Sequence, residues 1–226
     1  MTNPTANSCG VCGASVPLPH CAPTAEMAPD LDFRPGEPAR STLAQWMLVC
    51  RGCGAVAPDL RQLTPDAREV IDSAAYQALR GNGRKFRRYA AICQAKGNLR
   101  EAGNTMLQAA WSADDAGDTA QARLWRLEAA GLWVPPVDEE TALRRIDALR
   151  RAGEFAAAGT EATAWTPRIH HESGSHILAF QLARIAAADS GVYRISSVLR
   201  PPAHTPHGVQ GKRPARKGFW ARLFGK

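Results

Sequence analysis

Apolar residues recur at intervals of three or four positions through most of the chain after Thr64, which is the spacing of one face of an α-helix. Seven helices are predicted on this basis, and most are bounded by Gly, Asn, Asp or Pro residues that commonly begin or end helices. The predicted helices span residues 64–80, 84–96, 98–116, 118–134, 138–152, 154–165 and 173–189. On the fourth helix the pattern places Leu124, Leu127 and Ala130 on the buried side.

The chain before Thr64 follows a different pattern. Six prolines from Pro17 to Pro38 exclude a long helix there, because proline removes a backbone donor and fixes φ. Residues 42–49, with Trp46 near the middle, are predicted to form an extended strand.

Three predicted helix boundaries share the pattern Gly-polar-x-x-x-Ala, at Gly97–Ala102, Gly117–Ala122 and Gly153–Ala158. In tetratricopeptide-type hairpins a Gly ends one helix, and a small Ala lets the next helix pack closely. The intervals between the three boundaries are irregular. We therefore predict an array of antiparallel helical hairpins resembling tetratricopeptide repeats, with an Ala-rich helical bundle as the alternative.

These patterns describe a mainly α protein in three parts. Residues 1–62 are predicted to form a small unit that resembles a zinc ribbon, residues 63–199 a helical-hairpin domain, and residues 200–226 a disordered linker with a basic-aromatic tail. Hydrophobic content of 45% and charged content of 22% are typical of a soluble globular protein.

The net charge of +7 belongs mainly to the end of the chain. After Gly211 there are six basic residues and no acidic one. They are Lys212, Arg213, Arg216, Lys217, Arg222 and Lys226. The basic character is therefore assigned to a tail and not to a folded nucleic-acid-binding face.

The compartment is inferred from what the sequence lacks. The N-terminus has neither the basic start nor the apolar core of a secretory signal, and no apolar segment is long enough to span a membrane. A cytoplasmic location is expected, and there thiols stay reduced.

Four of the six cysteines lie in two Cys-x-x-Cys-Gly turns, formed by Cys9 and Cys12 and by Cys50 and Cys53. Each turn delivers two thiolates, and four thiolates complete the tetrahedron that zinc prefers. We predict one structural Zn²⁺ at these residues, because four thiolates leave no open position for catalysis.

Other roles for the cysteines fit the pattern less well. A reducing compartment disfavours disulfides, and a redox dithiol uses a single Cys-x-x-Cys at a strand-to-helix junction. Cys21, which follows His20, is an alternative ligand. Cys93 lies on the apolar face of a predicted helix and is assigned to the core.

No catalytic constellation is found in the sequence. The stretch from His170 to His176 resembles a metalloprotease motif, but His171 and His176 are five positions apart, whereas that motif needs four. It is assigned to a polar turn before the last helix. A Gly-rich phosphate loop and a nucleophile elbow are also missing, so the protein is predicted not to be an enzyme.

Two acidic pairs have simple structural explanations. Glu139 and Glu140 stand near a predicted helix start, where negative charge is favourable. Asp114 and Asp115 are assigned to a solvated helix edge.

The order of motifs from Cys9 to Leu60 resembles the bacterial family known as domain of unknown function 2225. The resemblance is carried by the two Cys-x-x-Cys-Gly turns, by Asp30-Leu31-Asp32-Phe33-Arg34 between them, and by Ala57-Pro58-Asp59-Leu60 after them. It implies a zinc site at the four cysteines and a tetratricopeptide-like helical remainder, and it brings no established activity. Two positions depart from the family pattern: Gly10 replaces a common Pro, and Ala55 replaces a common aromatic residue.

Asp30, Asp32 and Arg34 have two interpretations. They either form a polar network that braces the ribbon against the helices, or they contact a partner.

Two functions are compatible with these features. The first is a zinc-stabilised scaffold that binds a peptide or protein through a helical groove. The alternative is a nucleic-acid-binding zinc ribbon, but residues 1–60 carry three arginines against five acidic residues, which is unfavourable for binding phosphate.

The tail is predicted to be a docking peptide. On a helical wheel Phe219, Trp220, Leu223 and Phe224 share one side, and Arg222 points away from it. We expect weak binding to the anionic inner face of the membrane or to a partner groove. A solubilising end, or an apolar tip that folds back onto the helices, is the alternative.

Overall fold

The computed structural model describes residues 7–199, and over this range the protein is mainly helical. The predicted tail lies outside the described residues. Two strands, β1 (Leu48–Val49) and β2 (Val56–Ala57), pair antiparallel around the second Cys-x-x-Cys turn. The helices are α1 (Ala67–Asp72), α2 (Ala74–Ala78), α3 (Arg84–Ala95), α4 (Leu99–Asp115), α5 (Thr119–Leu132), α6 (Glu139–Arg151), α7 (Phe155–Trp165) and α8 (Glu172–Ala186).

The segment from Thr64 to residue 80 forms two short helices instead of the one predicted. Ser73 has extended backbone angles that interrupt the helix, and its hydroxyl accepts the Tyr76 N–H and so caps α2. Thr64 does not cap α1, because its hydroxyl donates to the Asp66 carboxylate. The small polar residues that favour helix starts therefore divide this segment.

The predicted strand over residues 42–49 is also largely wrong. Residues 40–45 form a 3₁₀ helix, and only Leu48–Val49 is extended. The Thr42 hydroxyl donates to the Ala39 carbonyl and accepts the Trp46 indole N–H at 2.8 Å. These local bonds close a turn in place of the strand.

One turn geometry occurs at all three Gly-polar-x-x-x-Ala boundaries. Gly97, Gly117 and Gly153 have φ of 72°, 74° and 80°, a left-handed conformation that glycine adopts without steric cost. The N–H after each glycine donates to the carbonyl five residues back at 2.9 Å, which completes a Schellman helix end. The next helix starts at once: the Asn98 and Asp118 side chains accept the N–H groups of the third residues of α4 and α5.

Consecutive helices from α3 to α8 pack on one another, and α6 also contacts α8. The central core lies between α3, α4 and α5 and contains Trp111, Trp125 and Trp133. Among residues 7–199, no helix combines the length and apolar character needed to cross a bilayer.

The buried face of α5 matches the predicted one at Ala130 and differs from it at Leu124. Leu124 is 54% exposed and Leu127 is only partly buried, whereas Trp125 and Ala129 face the core. Trp125 packs so closely on Gly83 that a Cβ there would lie 2.6 Å from the ring. The tryptophan and the alanines take the inner positions, because close helix packing needs small residues beside one large ring.

The N-terminal segment contributes to three cores. Leu43 and Met47 join the central core, Leu31 and Phe33 join a core between α6 and α8, and the Cys-x-x-Cys turns share a core with α1, α2 and α3. Packing therefore crosses the boundary predicted at residue 62, and the division into domains stays a prediction.

Candidate metal centre and adjoining cavity

The two Cys-x-x-Cys turns have the same backbone hydrogen bonds. The Cys9 N–H donates to the Ala14 carbonyl, and the Cys50 N–H donates to the Ala55 carbonyl, both at 2.8 Å. Gly13 and Gly54 close the turns with φ of 72° and 75°. Each turn thus presents two cysteine side chains from one rigid loop.

The four sulfur atoms of these turns lie within 4.8 Å of one another. The Sγ atoms of Cys9 and Cys53 are 3.9 Å apart, and those of Cys12 and Cys50 are 3.6 Å apart. These distances exclude disulfides, whose sulfur atoms are about 2.0 Å apart. They are close to the edge of a tetrahedron with metal–sulfur bonds of about 2.3 Å, roughly 3.8 Å. The four thiols therefore fit one tetrahedral metal ion.

Two glycines inside the turns are required by packing. A Cβ on Gly10 would lie 1.7 Å from the Leu63 carbonyl oxygen, and one on Gly52 would lie 3.1 Å from the Cys12 sulfur. The Leu63 backbone therefore occupies the space that any side chain at position 10 would need.

The thiols have unequal acidity. Burial raises the pKa of Cys9 and Cys53. Burial acts in the same direction on Cys50, but the N–H groups of Cys53 and Gly52 outweigh it and lower the pKa of Cys50. Backbone donors of this kind stabilise a thiolate, which is the form that binds metal.

The other cysteine and histidine candidates within residues 7–199 are not part of this cluster. Within residues 7–199, only the four cysteines of the two turns are grouped closely enough to hold a metal ion. Cys21 is exposed, and Cys93 is buried on α3, where burial raises its pKa to about 11. His170 and His171 precede α8 as the assignment to a polar turn predicts, but the rest of that stretch, residues 172–176, lies within α8.

The helices support the metal centre from one side. The Tyr76 hydroxyl on α2 donates to the Gly54 carbonyl at 3.1 Å, and the Arg88 guanidinium lies 5.1 Å from the Tyr76 ring centroid. Burial raises the pKa of Tyr76 to about 12, so its hydroxyl remains a donor at neutral pH.

A second cluster forms around Asp32, whose side chain is fully buried. Its carboxylate accepts the Trp111 indole N–H at 2.8 Å and Arg151 Nη1 at 2.5 Å, and Arg126 lies 3.8 Å away. Burial raises the pKa of Asp32, but the two arginines outweigh it, so the pKa lies below its ordinary value. The N-terminal segment is thereby linked to α4, α5 and α6.

The other acids of this cluster also hold arginines. Arg34 donates to both oxygens of Asp115 at 2.6 Å, and Arg40 donates to Asp30. Asp114 contacts Arg126 and Arg151, so its assignment to a solvated edge is wrong. In the sequence these arginines resemble ordinary surface cations, and only the packing of three helices shows that they meet.

A cavity of about 660 Å³ lies between α4 and the segment formed by residues 22–29. We call this segment the strap. Aromatic rings of Phe33, Trp46 and Trp111 line it, together with four polar side chains that the sequence did not single out. The four are Glu101, Asn104 and Gln108 of α4 and Arg144 of α6.

Phe33 has an unusual backbone conformation at this cavity. Its φ is 64°, in the left-handed region, where a side chain other than glycine costs about 1–2 kcal/mol. Its ring lies under the Arg144 guanidinium at 4.5 Å. Backbone strain that surrounding packing maintains is common at binding sites.

Searches against models of protein families, curated proteins and solved structures found no match to this chain.

Proposed function

We propose that this protein is a non-enzymatic, zinc-stabilised scaffold that binds an extended segment of a peptide or protein partner in the cavity beneath the strap. The observation that carries this proposal is the cavity itself. Its volume of about 660 Å³ lies within the range of specific ligand sites, and its lining combines aromatic rings with a few polar groups.

The zinc has a structural role in this proposal. The four thiols that would hold it leave no position for a substrate, and they share a core with α1, α2 and α3. The Asp32 cluster is proposed to brace the N-terminal segment, since its carboxylates are occupied by arginines of the same chain.

The wider architecture belongs to the same proposal. The three turns with the same backbone hydrogen bonds, and the packing of each helix on the next, support an array of tetratricopeptide-like hairpins. The paired Cys-x-x-Cys turns support a zinc-ribbon-like unit and the resemblance to domain of unknown function 2225.

Panning of a random peptide display library against the zinc-loaded protein tests the proposal. Gln108→Trp, which places a large ring in the cavity, serves as the blocked variant. We expect selected peptides that bind the wild-type protein and lose at least about tenfold in affinity on the blocked variant. Gln77→Trp, an exposed position on α2 away from the cavity, is the control. Selected peptides that bind both variants equally, or no selected peptides, would contradict the proposal.

A further inference from the structure

Glu101 is a carboxylate at the cavity that lacks an arginine partner. Among the described residues, its side chain receives one hydrogen bond, from Asn104 Nδ2 at 3.3 Å, and no cationic group lies within ion-pair distance. The buried acids Asp30, Asp32 and Asp147 each hold an arginine. Glu101 therefore differs from these three buried acids.

Two arginines, Arg144 and Arg100, are near enough for their charges to act on Glu101, but both form ion pairs with other acids. Arg144 pairs with Glu140 at 2.6 Å and donates to Asn104 Oδ1 at 3.0 Å. Arg100 pairs with Asp138 at 3.0 Å. Burial raises the pKa of Glu101, and the Asn104 amide, Arg144 and Arg100 oppose this only in part. A further cation beside the carboxylate would remove this cost.

Gln108 offers a second acceptor on the same face of α4. It stands seven residues after Glu101, which is about two helical turns, and both side chains line the cavity. Its Oε1 is buried and has no hydrogen-bond partner within residues 7–199. A buried acceptor without a partner costs about 1–3 kcal/mol, so this oxygen favours a ligand that donates.

The aromatic rings indicate the chemistry of the rest of the ligand. The Trp46 and Trp111 indole N–H groups donate to Thr42 and to Asp32, so both are already satisfied. The two rings pack edge to face with centroids 6.4 Å apart, and they offer the cavity apolar ring surface. Such surface binds aliphatic chains, and it attracts cations.

We propose that the cavity binds a lysine side chain of an extended peptide. The ammonium group would lie beside the Glu101 carboxylate and Gln108 Oε1, and the aliphatic stem would pack on Trp46 and Trp111. An ammonium group has three donors and no acceptor, which matches a carboxylate with a single hydrogen bond and an amide oxygen with none. This inference depends on the proposed function, because it names the chemistry of the partner that the same cavity takes.

The test uses two synthetic peptides, acetyl-Ala-Ala-Lys-Ala-Ala-amide and the same peptide with norleucine in place of lysine. Norleucine keeps the aliphatic stem and lacks the charge. Binding to the zinc-loaded protein is measured by titration calorimetry and by NMR shifts of the Trp indole signals, up to about 10 mM peptide. We expect the lysine peptide to bind at least about tenfold more tightly, as charge-assisted hydrogen bonds in a partly buried site predict.

Glu101→Gln keeps the shape of the side chain and removes its charge, and we expect it to abolish the preference for lysine. Glu128→Gln, at an exposed acid on α5, is the matched control and should leave the preference unchanged. Thermal unfolding of each variant establishes that both are folded. The comparison of the two peptides on the wild-type protein needs no variant.

The outcomes separate this inference from the proposed function. Equal binding of the two peptides, or a lysine preference that survives Glu101→Gln, would overturn the inference and leave the proposed function standing. If neither peptide binds while the display library yields peptides without lysine, the inference is again overturned alone. If neither peptide binds and the library yields none, both are wrong.

Discussion

At the scale of single residues, Asp32 joins the N-terminal segment to three helices. Its carboxylate contacts Trp111 of α4, Arg126 of α5 and Arg151 of α6. A buried ion pair of this kind adds little net stability over an apolar core, but removing one member leaves unpaired charges in the interior. We therefore expect the loss of any one member of the cluster to destabilise the fold.

Replacing Asp32 with Asn tests this directly. We expect Asp32→Asn to lower the free energy of unfolding by up to about 3–5 kcal/mol, because two buried arginines keep Asp114 but lose their fully buried counter-charge. Asp72→Asn is the control, since the Asp72–Arg68 pair is more than half exposed and should contribute less than about 1 kcal/mol. Urea unfolding followed by circular dichroism measures both. A loss for Asp32→Asn no larger than for the control would contradict the prediction.

The lowered pKa of Asp32 also predicts how the stability difference between wild type and Asp32→Asn depends on pH. The two arginines keep the pKa of Asp32 below its ordinary value of 3.8. A carboxylate with a lowered pKa contributes stability above its ordinary pKa and loses it as the pH falls through the lowered value. The difference between wild type and Asp32→Asn should therefore stay constant from pH 7 to about 5, and shrink only below 3.8. Metal loss in acid affects both proteins alike. A difference that grows with acidity would contradict this assignment.

Cys50→Ser tests the metal centre. We expect one zinc per chain in the wild-type protein and none in the variant, together with a lower melting temperature, because metal binding is coupled to folding. Elemental analysis and thermal unfolding provide the two measurements. Cys21→Ser is the control, since Cys21 is exposed and lies outside the cluster, and it should retain the metal. A wild-type protein purified without chelator that contains no zinc would refute the site.

The sequence revealed some of these residues and not others for a physical reason. Cys-x-x-Cys-Gly places two ligands in one local turn, so the spacing alone indicates that Cys9 and Cys12 lie together. No local spacing relates Asp32 to Arg126 and Arg151, which meet only when α4, α5 and α6 pack. Glu101 and Gln108 could be placed on one helix face, but the strap that makes this face a cavity could not be predicted.

At the scale of elements, helix packing depends on where glycine replaces a side chain. Gly103 of α4 lies against Trp133, and a Cβ there would approach the indole nitrogen to 2.3 Å. Gly131 of α5 is exposed, with open space around it. The two glycines thus lie in helices that pack together. Only at Gly103 does a neighbouring side chain leave no room for a Cβ.

This contrast predicts opposite effects of alanine. Gly103→Ala should destabilise the protein by about 1–3 kcal/mol, as overpacking in a core does. Gly131→Ala should stabilise it by up to about 0.5–1 kcal/mol, because alanine restricts the unfolded chain. Chemical unfolding of both variants gives the sign of each change. Effects of the same sign would show that the α4–α5 contact adapts more freely than we infer.

Long helices were predicted well from the sequence, and short elements were not. From α3 onward, Gly and capping residues mark the helix limits, because each turn is stabilised by its own backbone and side-chain hydrogen bonds. In the segments that contain Trp46 and Ser73, hydroxyl groups compete with the backbone and replace a strand or a helix with shorter turns. The spacing of apolar residues does not show where a hydroxyl group will compete with the backbone for hydrogen bonds.

At the scale of the whole molecule, each hydrophobic core found within residues 7–199 includes residues of the later helices. Leu43 and Met47 pack against the central helices, and Cys50 shares a core with Ile71 and Tyr76. The segment before residue 62 therefore buries its apolar residues largely against later helices.

A fragment of residues 1–62 tests how far this dependence goes. With one equivalent of zinc, we expect the fragment to bind the metal but to give poorly dispersed NMR spectra outside the two turns, because its other apolar residues lose their neighbours. The fragment 1–199 with zinc is the matched comparison. Well-dispersed spectra from the short fragment would show that the boundary predicted at residue 62 is a true domain boundary.

The tail adds a prediction that only the sequence supports. The intact protein should sediment with anionic vesicles at low salt and dissociate at high salt, since each basic residue near such a surface contributes about 1 kcal/mol. A protein that ends at residue 200 should remain in solution, and neutral vesicles serve as the control. Equal sedimentation of both forms would exclude membrane binding by Phe219, Trp220 and the basic residues around them.

The proposed zinc ion also has a consequence for the entropy of the chain. Cys12 and Cys50 are 38 positions apart, and the strap lies between them. By the estimate used for disulfides, a cross-link over such a distance removes about 4 kcal/mol of loop-closure entropy from the unfolded chain. The strap, which is largely exposed, can then remain in place with few contacts of its own. The cavity beneath it therefore stays open. The metal would preorganise the binding cavity without touching it, so peptide affinity should fall when zinc is removed.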